Sequence, residues 1–297
     1  MDPAIPVVNA SPPPNPTFSI KNPEVAELTA YDRSPPLSFW NNFPTNPEKS
    51  TPSTKVNVVE FSNFISHCEK KWSARQKTIA YRSLKTLKFG NKTIFKKGKI
   101  PSFHSPNANS AFKHGKCITD TVASWIKKEY VIGPFQNPPF KNLNYSPLMA
   151  AVQKTKVRPI LNLSAPPGSS FNDALDKNYL RKLSMCSAKK FSQTLIRMGK
   201  NAKFAKSDLV DAYKLIPCHP SDWKFFGFKW LGKFFVDTTS PFGSTGAPAG
   251  FDDFGETVTN IAATISETPK AMIHRQLDDV PTVAPEFSNA VENFSII

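Results

Sequence analysis

The sequence predicts an α+β fold in which short antiparallel strands are followed by amphipathic helices. Residues 146–163 and residues 225–239 each contain two apolar runs around a basic or glycine-containing turn, which is the pattern of a β-hairpin. Helical spacing of apolar residues runs through residues 118–133 and again from about Phe251 to Ile265. The chain has 297 residues, of which 39% are apolar, and this is enough for one large core or two smaller ones.

The composition indicates a polyanionic partner. Formal net charge is +15, and nucleic acid is the commonest polyanion that so basic a protein meets. A generally basic surface with no ligand is the alternative. Four scattered cysteines signal neither a zinc site nor a disulfide framework, which favours an intracellular location, cytoplasm or nucleus. Neither a secretory signal nor a long apolar run is present, so no membrane span is expected.

Composition divides the chain into four regions. Residues 1–55 are rich in proline, serine, threonine and asparagine, and we expect a disordered leader there. Residues 56–117 form a basic region that can be helical, with thirteen Lys and Arg residues from Lys70 to Lys116 and no acid among them. We expect this stretch to contact phosphates without sequence specificity, the alternative being a solvated face. The other regions are 118–202 and 203–297.

Two pairs of adjacent aspartates have different explanations. Asp252-Asp253 lies at the predicted start of the second helix, where the helix dipole stabilises acids, so we expect a structural role. Asp278-Asp279 lies between apolar residues on a predicted strand–turn–strand, and is either an Asx-type turn or part of a metal site. Asp208 favours the metal site because it ends another predicted strand, which we expect to be buried. Two neighbouring strand ends would gather three carboxylates, which suit two Mg²⁺ ions.

Four segments resemble motifs of reverse transcriptases, and they occur in the same order as in that family. VIGPFQNPPFKNLNYSPLMAAVQKTKVRPILNLS resembles the fingers, SDLVDAYKLIPCHPSDWKFFGF the first palm motif, TTSPFGSTGAPAGF the second and RQLDDVPTV the third. The phrase RPILNLSAPPGSSFNDAL is most similar to the DIRS-type, tyrosine-recombinase retrotransposons. The resemblance begins at residue 118 and continues to the last residue of the sequence.

This resemblance implies a right-hand polymerase fold, with fingers at 118–202 and the palm at 203–297. The palm would be a ferredoxin-like antiparallel sheet with helices on one face. Pro281 cannot donate to a ladder, so the strand after Asp279 should be an edge or be bonded on one side only. Residues 280–297 are too few for the rest of a palm, so we expect a C-terminally truncated chain that lacks the thumb.

The resemblance also implies a site for two-metal nucleotidyl transfer. Asp208, Asp278 and Asp279 would be catalytic, and with the main-chain carbonyl of Leu209 they would bind two Mg²⁺ ions, or Mn²⁺. The nucleotide phosphates would meet basic side chains from the fingers and backbone amides from the palm. The residues implied are Lys156, or Lys154 as its alternative, Arg158, Asp211 and Ala212.

Aromatic and small residues would complete the nucleotide site. Tyr213 would lie under the incoming sugar and exclude a 2′-hydroxyl, the alternative being an ordinary core tyrosine. Phe242 and Gly243 would face the nascent base pair, since glycine allows a close approach. Gln276, which replaces the family's aromatic residue, and Leu277 would contact the primer.

The main prediction is the RNA-directed DNA polymerase domain of a retrotransposon. Its partners would be an RNA or DNA template-primer and deoxynucleoside triphosphates. Activity of so short a chain is left open, as is its oligomeric state. The alternative is a non-catalytic, basic nucleic-acid-binding remnant of a retroelement, and a structural or capsid-like role is a third reading for residues 1–116.

Overall fold

The computed structural model describes residues 52–154, 156–180, 183, 185–200, 202–266 and 273–284. Nearly all of the predicted leader at 1–55 therefore lies outside the described residues. The sequence also predicts an amphipathic helix that begins with Pro285 in its first turn, and this segment lies outside the described residues as well.

Helices and short strands are mixed along the described chain, as an α+β fold requires. The helices are α1 (Val58–Cys68), α2 (Ala74–Phe89), α3 (Asn109–Lys113), α4 (Gly115–Lys127), α5 (Phe171–Ala174), α6 (Ala188–Met198) and α7 (Ala247–Ile265). The strands are β1 (Val131–Phe135), β2 (Leu148–Gln153), β3 (Lys156–Leu161), β4 (Lys203–Asp208), β5 (Gly227–Trp230), β6 (Lys233–Asp237) and β7 (Asp279–Ala284).

The strands form small antiparallel sheets. One has the order β1-β6-β5, one consists of β2 and β3, and one consists of β4 and β7. Isolated bridges from Ile273 to Thr282 and from Gln276 to Asp279 add a further short segment beside β7. The α+β class is confirmed, whereas the right-hand arrangement of fingers and palm stays a prediction.

Both predicted hairpins are present. Strands β2 and β3 pair from Leu148–Leu161 to Gln153–Lys156. Strands β5 and β6 are joined at Leu231 and Gly232, whose φ angles of 47° and 81° fit the two-residue turn that matches strand twist. Local turn chemistry was therefore a sufficient guide to both hairpins.

The first predicted helix ends earlier than its apolar spacing indicates. Helix α4 stops at Lys127, and Glu129 takes a positive φ of 61°. Val131 and Ile132 then pair with Asp237 and Val236 as part of β1. A strand partner about a hundred residues away along the sequence thus overrides the local helical pattern.

Helix α7 begins at Ala247, with a proline in its first turn, and not near Phe251 as predicted. Asp252 and Asp253 therefore lie in its second turn, so the helix dipole does not account for them. Both belong to ion pairs instead: Asp252 with Arg275, and Asp253 with Arg82 at 2.7 Å. Their role is structural, as expected, but the predicted cause was wrong.

The main apolar cluster joins the basic N-terminal region to the part of the chain that follows Asp208. Phe61 of α1 and Leu87 of α2 are buried with Phe251 and Ile261 of α7. Ile216, eight residues after Asp208, is in the same cluster. Helices α1 and α2 consequently form one core with α7.

Candidate functional site

The three predicted catalytic aspartates meet at one end of the β4–β7 sheet. Asp208 is the register partner of Asp279, and the amide of Leu209 donates to the carbonyl of Asp278 at 3.2 Å. Gln276 and Asp279 exchange amide–carbonyl bonds of 2.8 and 3.2 Å, which close a two-residue turn at Leu277-Asp278. Leu277 has a φ of 59°, as such a turn needs. The predicted turn is present and β7 follows it, whereas the segment before it pairs only through the isolated bridges at Ile273 and Gln276.

One face of this sheet, which we call the acidic face, carries Lys206, Asp208, Asp279, Pro281 and Gln276. Register and the two-residue alternation of strands place these side chains on the same side. Asp208 and Gln276 are exposed, and Asp278 and Asp279 are half-buried. Strand β4 was expected to be buried, but all six of its residues are exposed or half-buried. The groups at its Asp208 end can therefore reach solvent and ligand.

Lys206 is the cation of the acidic face. Its Nζ lies 2.8 Å from Oδ1 of Asp279. Its pKa is raised, first by the hydrogen bond to Asp279 and then by the charges of Asp279, Asp208 and Asp278. The ammonium is therefore close enough to all three aspartates to respond to each of them.

The three aspartates fit a hard divalent cation in donor chemistry and backbone placement. Carboxylate and carbonyl oxygens are the ligands that Mg²⁺ and Mn²⁺ favour, and register places these donors side by side. Within the described residues, no group of three or more His, Cys, Asp or Glu side chains is arranged as a finished metal site. Asp279 is instead turned towards Lys206.

The opposite face of the sheet is anchored to α7 by Arg275. This residue is 4% exposed, and its guanidinium binds Asp252, which is completely buried. A Cβ on Gly255 would come within 2.9 Å of the Arg275 side chain, so glycine makes the room. Sequence reasoning missed Arg275, because its partner Asp252 lies on α7, 23 residues earlier in the chain, and nothing in the local sequence points to it.

Helix α6 covers the far end of the acidic face. The ring of Phe191 packs edge-on against Phe204 at 5.6 Å and against His274 at 5.2 Å. Sγ of Cys186 lies 3.0 Å from Nδ1 of His274. Helices therefore pack on both faces of this sheet, and the expectation of helices on one face was wrong.

The consequence expected of Pro281 was also wrong. Strand β7 has partners on both sides, β4 and the segment around Ile273 to Gln276. The carbonyl of Pro281 accepts from the amide of His274 at 2.9 Å. Because the N and C=O of one antiparallel residue point the same way, the missing N–H falls on the His274 side and leaves the pairing with β4 intact.

Tyr213 lies beside the acidic end of the sheet. Its ring packs edge-on against Phe242 at 5.3 Å and is tilted on Phe251 at 5.5 Å. Its pKa is raised by burial and, to a lesser extent, by the charge of Asp278. Tyr213 thus borders the main core while remaining half-buried, between the predicted metal ligands and the predicted base-pair contact.

The turn that carries Gly243 is pressed against the end of β3. Gly243 has a φ of +108°, and a Cβ there would collide with the carbonyl oxygen of Leu161. Asn172 fixes the turn by donating to the Gly243 carbonyl at 2.8 Å and accepting from the Thr245 amide at 3.0 Å. Asn172 was not recognised in the sequence, because its partners lie about seventy residues further on.

Exposed basic side chains lead along β3 towards this turn. Lys156 and Arg158 alternate with Val157 and share a strand face with Ile160, whose Cγ2 lies 3.6 Å from where a Gly243 Cβ would be. Lys154 takes a φ of 37° in the hairpin turn. Across the described part of the chain, neither Lys156 nor Arg158 forms a salt bridge, so both cations are available to an anionic ligand.

The carboxylate of Asp211 is already engaged. It forms an ion pair with Lys128 and accepts from the Tyr130 hydroxyl at 3.4 Å. Asp211 has a φ of 54° and precedes a short 3₁₀ helix that begins at the buried Ala212. The side chain of Asp211 is thus structural, and the predicted phosphate contact of the Asp211–Ala212 backbone stays a prediction.

Among the helices of the described residues, none is long and apolar enough to cross a membrane.

No protein-family model matches the chain, and no curated protein matches it. Among solved structures it is similar to the foamy viral protease-reverse transcriptase dRH in complex with double-stranded DNA, with a TM-score of 0.48 and 15% sequence identity. The match covers 82% of this chain and 42% of that one, so this chain spans less than half the length of the protein it matches.

Proposed function

We propose that this chain is an RNA-directed DNA polymerase domain of a DIRS-type retroelement, with fingers and palm regions. The observation that carries the proposal is the β4–β7 register, which sets Asp208 opposite Asp279 and Asp278 beside Leu209. The four motif resemblances support it, because contacts connect their segments: the Tyr213 ring packs against Phe242, and Gly243 closely approaches Leu161. The substrates are an RNA or DNA template-primer and deoxynucleoside triphosphates.

The aspartates would hold the cations on which the reaction depends. Asp208 and Asp278, with the Leu209 carbonyl and Asp279 beside them, are the residues that would bind two Mg²⁺ ions. When bound, such ions lower the pKa of a primer 3′-hydroxyl and neutralise the triphosphate and leaving pyrophosphate. The protein's part is to keep the carboxylates adjacent, which strand register and the closed Leu277-Asp278 turn accomplish.

The residues around the turn at Gly243 would hold the nucleotide. Arg158 and Lys156 are exposed and project from the β3 face that borders Gly243, so they can bind the triphosphate. Arg158 can form a bidentate pair of hydrogen bonds with the phosphate oxygens. Lys154 stays the alternative to Lys156. Phe242 and Gly243 would meet the nascent base pair, while the Tyr213 ring would exclude a 2′-hydroxyl.

The primer would lie on the hairpin turn. Gln276 is exposed at the position where the family has an aromatic residue, and Leu277 forms the turn itself. A carboxamide can hydrogen-bond to a primer sugar or phosphate but offers no aromatic ring for stacking.

Primer extension on an RNA template with Mg²⁺ tests the proposal. Asp208→Asn and Asp278→Asn should each slow extension about 10³-fold, corresponding to about 4 kcal/mol of lost transition-state stabilisation. Asp120→Asn, which replaces an exposed acid on α4, is the matched control and should extend like the wild type. Extension that survives both site substitutions would contradict the metal site.

A second candidate is a non-catalytic nucleic-acid-binding protein. The exposed lysines on α2 and on the segment that follows it favour this candidate. A folded wild type that binds nucleic acid but incorporates no nucleotide would select it over the polymerase.

A further inference from the structure

The three site aspartates differ from three buried or largely buried acids, Asp237, Asp252 and Asp253, in how their charge is balanced. Asp252 and Asp253 have arginine partners, and Asp237 binds the buried Lys214. Within the described residues, Asp208, Asp278 and Asp279 have one salt-bridge partner among them, which is Lys206. A single ammonium thus serves three carboxylates.

Lys206 reaches Asp279 along the surface of the sheet. It lies two residues before Asp208 on β4, and its register partner is Pro281, two residues after Asp279. Its side chain therefore extends diagonally from β4 to β7, which brings Nζ to 2.8 Å from Asp279. The two side chains are 51% and 39% exposed, so water can replace either partner.

A lysine ammonium is a cation that a divalent metal ion can displace from a carboxylate. A lysine ammonium is a compact, strongly hydrated charge on a flexible stem, whereas an arginine holds a carboxylate with a rigid fork. An exposed pair of this kind adds little to stability, because water screens its charges. A divalent ion can displace such a group, which would not hold for the buried Arg275 at Asp252.

We propose that Lys206 is a positioning residue that stands in for a metal ion among Asp208, Asp278 and Asp279. It holds the three carboxylates together before metal binds, and it leaves Asp279 when a divalent ion arrives. Lys206 therefore lowers the affinity of the nucleotide-free protein for that ion. The inference rests on the proposed metal site, and it concerns a residue to which the motif resemblance assigns no role.

Direct Mn²⁺ binding, followed by the loss of the free-ion electron paramagnetic resonance signal, tests this without nucleotide or primer. Lys206→Met keeps most of the stem and removes the charge, and should bind Mn²⁺ about 3- to 5-fold more tightly than the wild type. Lys206→Arg should bind it more weakly, because its fork competes better for Asp279. Lys203→Met is the control, since Lys203 is exposed at the start of the same strand and outside the acidic face.

Thermal unfolding gives a second readout. In the presence of a chelator, Lys206→Met should unfold at a lower temperature than the wild type, because three carboxylates then repel one another unscreened. Saturating Mn²⁺ should remove that deficit. Lys203→Met should show no such dependence on metal.

The outcomes separate this inference from the proposed function. Equal Mn²⁺ affinity in wild type and Lys206→Met, with binding abolished by Asp208→Asn, would overturn the role of Lys206 and leave the metal site in place. No saturable Mn²⁺ binding in wild type, Lys206→Met or Lys206→Arg would overturn the metal site itself. The affinity order Met, Lys, Arg at position 206 would support both.

Discussion

Single residues near the acidic face are held by contacts that leave them little freedom. The Tyr213 ring lies between Phe242 and Phe251, with centroid distances of 5.3 and 5.5 Å. A ring fixed on two sides cannot rotate away from an additional ligand atom without disturbing the core. This rigidity makes Tyr213 suitable for steric selection between sugars.

Tyr213→Val should weaken discrimination against ribonucleotides. A pocket that discriminates between substrates by the size of one small group does so by about 10- to 200-fold, and we expect the loss of selectivity to fall in that range. The measurement is the ratio of deoxynucleotide to ribonucleotide incorporation by primer extension. Tyr213→Phe keeps the ring and should keep the selectivity, so a loss of selectivity in both variants would contradict a steric gate.

Gly243 shows what a sequence can and cannot reveal at one position. A glycine between Phe242 and Ser244 predicts a turn, and the positive φ of +108° agrees. The contact that excludes any side chain is the carbonyl of Leu161, about eighty residues earlier. The requirement for glycine was thus readable, whereas its neighbour became visible only in the fold.

At the scale of elements, the hairpin that carries Asp278 and Asp279 is tied to α7 by a buried ion pair. Arg275 and Asp252 are both buried, whereas the neighbouring pair of Arg82 and Asp253 joins a half-exposed arginine to a largely buried acid. Adjacent acids on one helix thus serve different elements: Asp252 anchors the hairpin and Asp253 anchors α2. The two pairs provide a natural comparison.

Arg275→Met should lower the free energy of unfolding by about 3–5 kcal/mol, because it leaves the buried Asp252 charge without its partner. Arg82→Met should cost about 1 kcal/mol, since its guanidinium is half-exposed. Urea unfolding measures both. Adding Asp252→Asn to Arg275→Met should recover part of the loss, and equal costs for the two single substitutions would contradict the difference in burial.

Sequence reasoning succeeded for elements whose cause is local. The β5–β6 hairpin, the β2–β3 hairpin and the strand that ends at Asp208 were all placed by their own residues. It failed where a distant partner decides the structure. Residues 131–135 are a strand because β6 pairs with them. Strand β7 can contain Pro281 because the N–H that proline lacks would point towards the short segment at His274 and not towards β4.

At the scale of the whole molecule, the basic region has two different sides. Ile79, Leu84 and Leu87 of α2 are buried, the last two of them in the core shared with α7. Tyr81, Lys85, Lys88 and Phe89 lie on the exposed side of the same helix. The apolar side attaches the helix to the domain that contains Asp208, and the basic and aromatic side is left to solvent.

That exposed side has the composition of a surface for single-stranded nucleic acid. Lysines supply charge for phosphates, and exposed rings supply faces on which bases can stack. Lys85 and Lys88 form no salt bridge with any residue that the structure describes, so neither charge is neutralised internally. Each phosphate contact releases counterions, and affinity therefore falls as salt rises.

Lys85→Glu combined with Lys88→Glu should weaken binding to a labelled single-stranded RNA and flatten its salt dependence. Loss of two phosphate contacts reduces the slope of log K against log salt by about 1.4. The control is Lys189→Glu combined with Lys200→Glu, which changes the net charge by the same amount. Lys189 lies on α6 and Lys200 just after it, outside the basic stretch of residues 70–116. This control should alter the slope much less. Fluorescence anisotropy across a salt series measures both. Equal changes of slope would mean that net charge alone, and not the exposed side of α2, binds the strand.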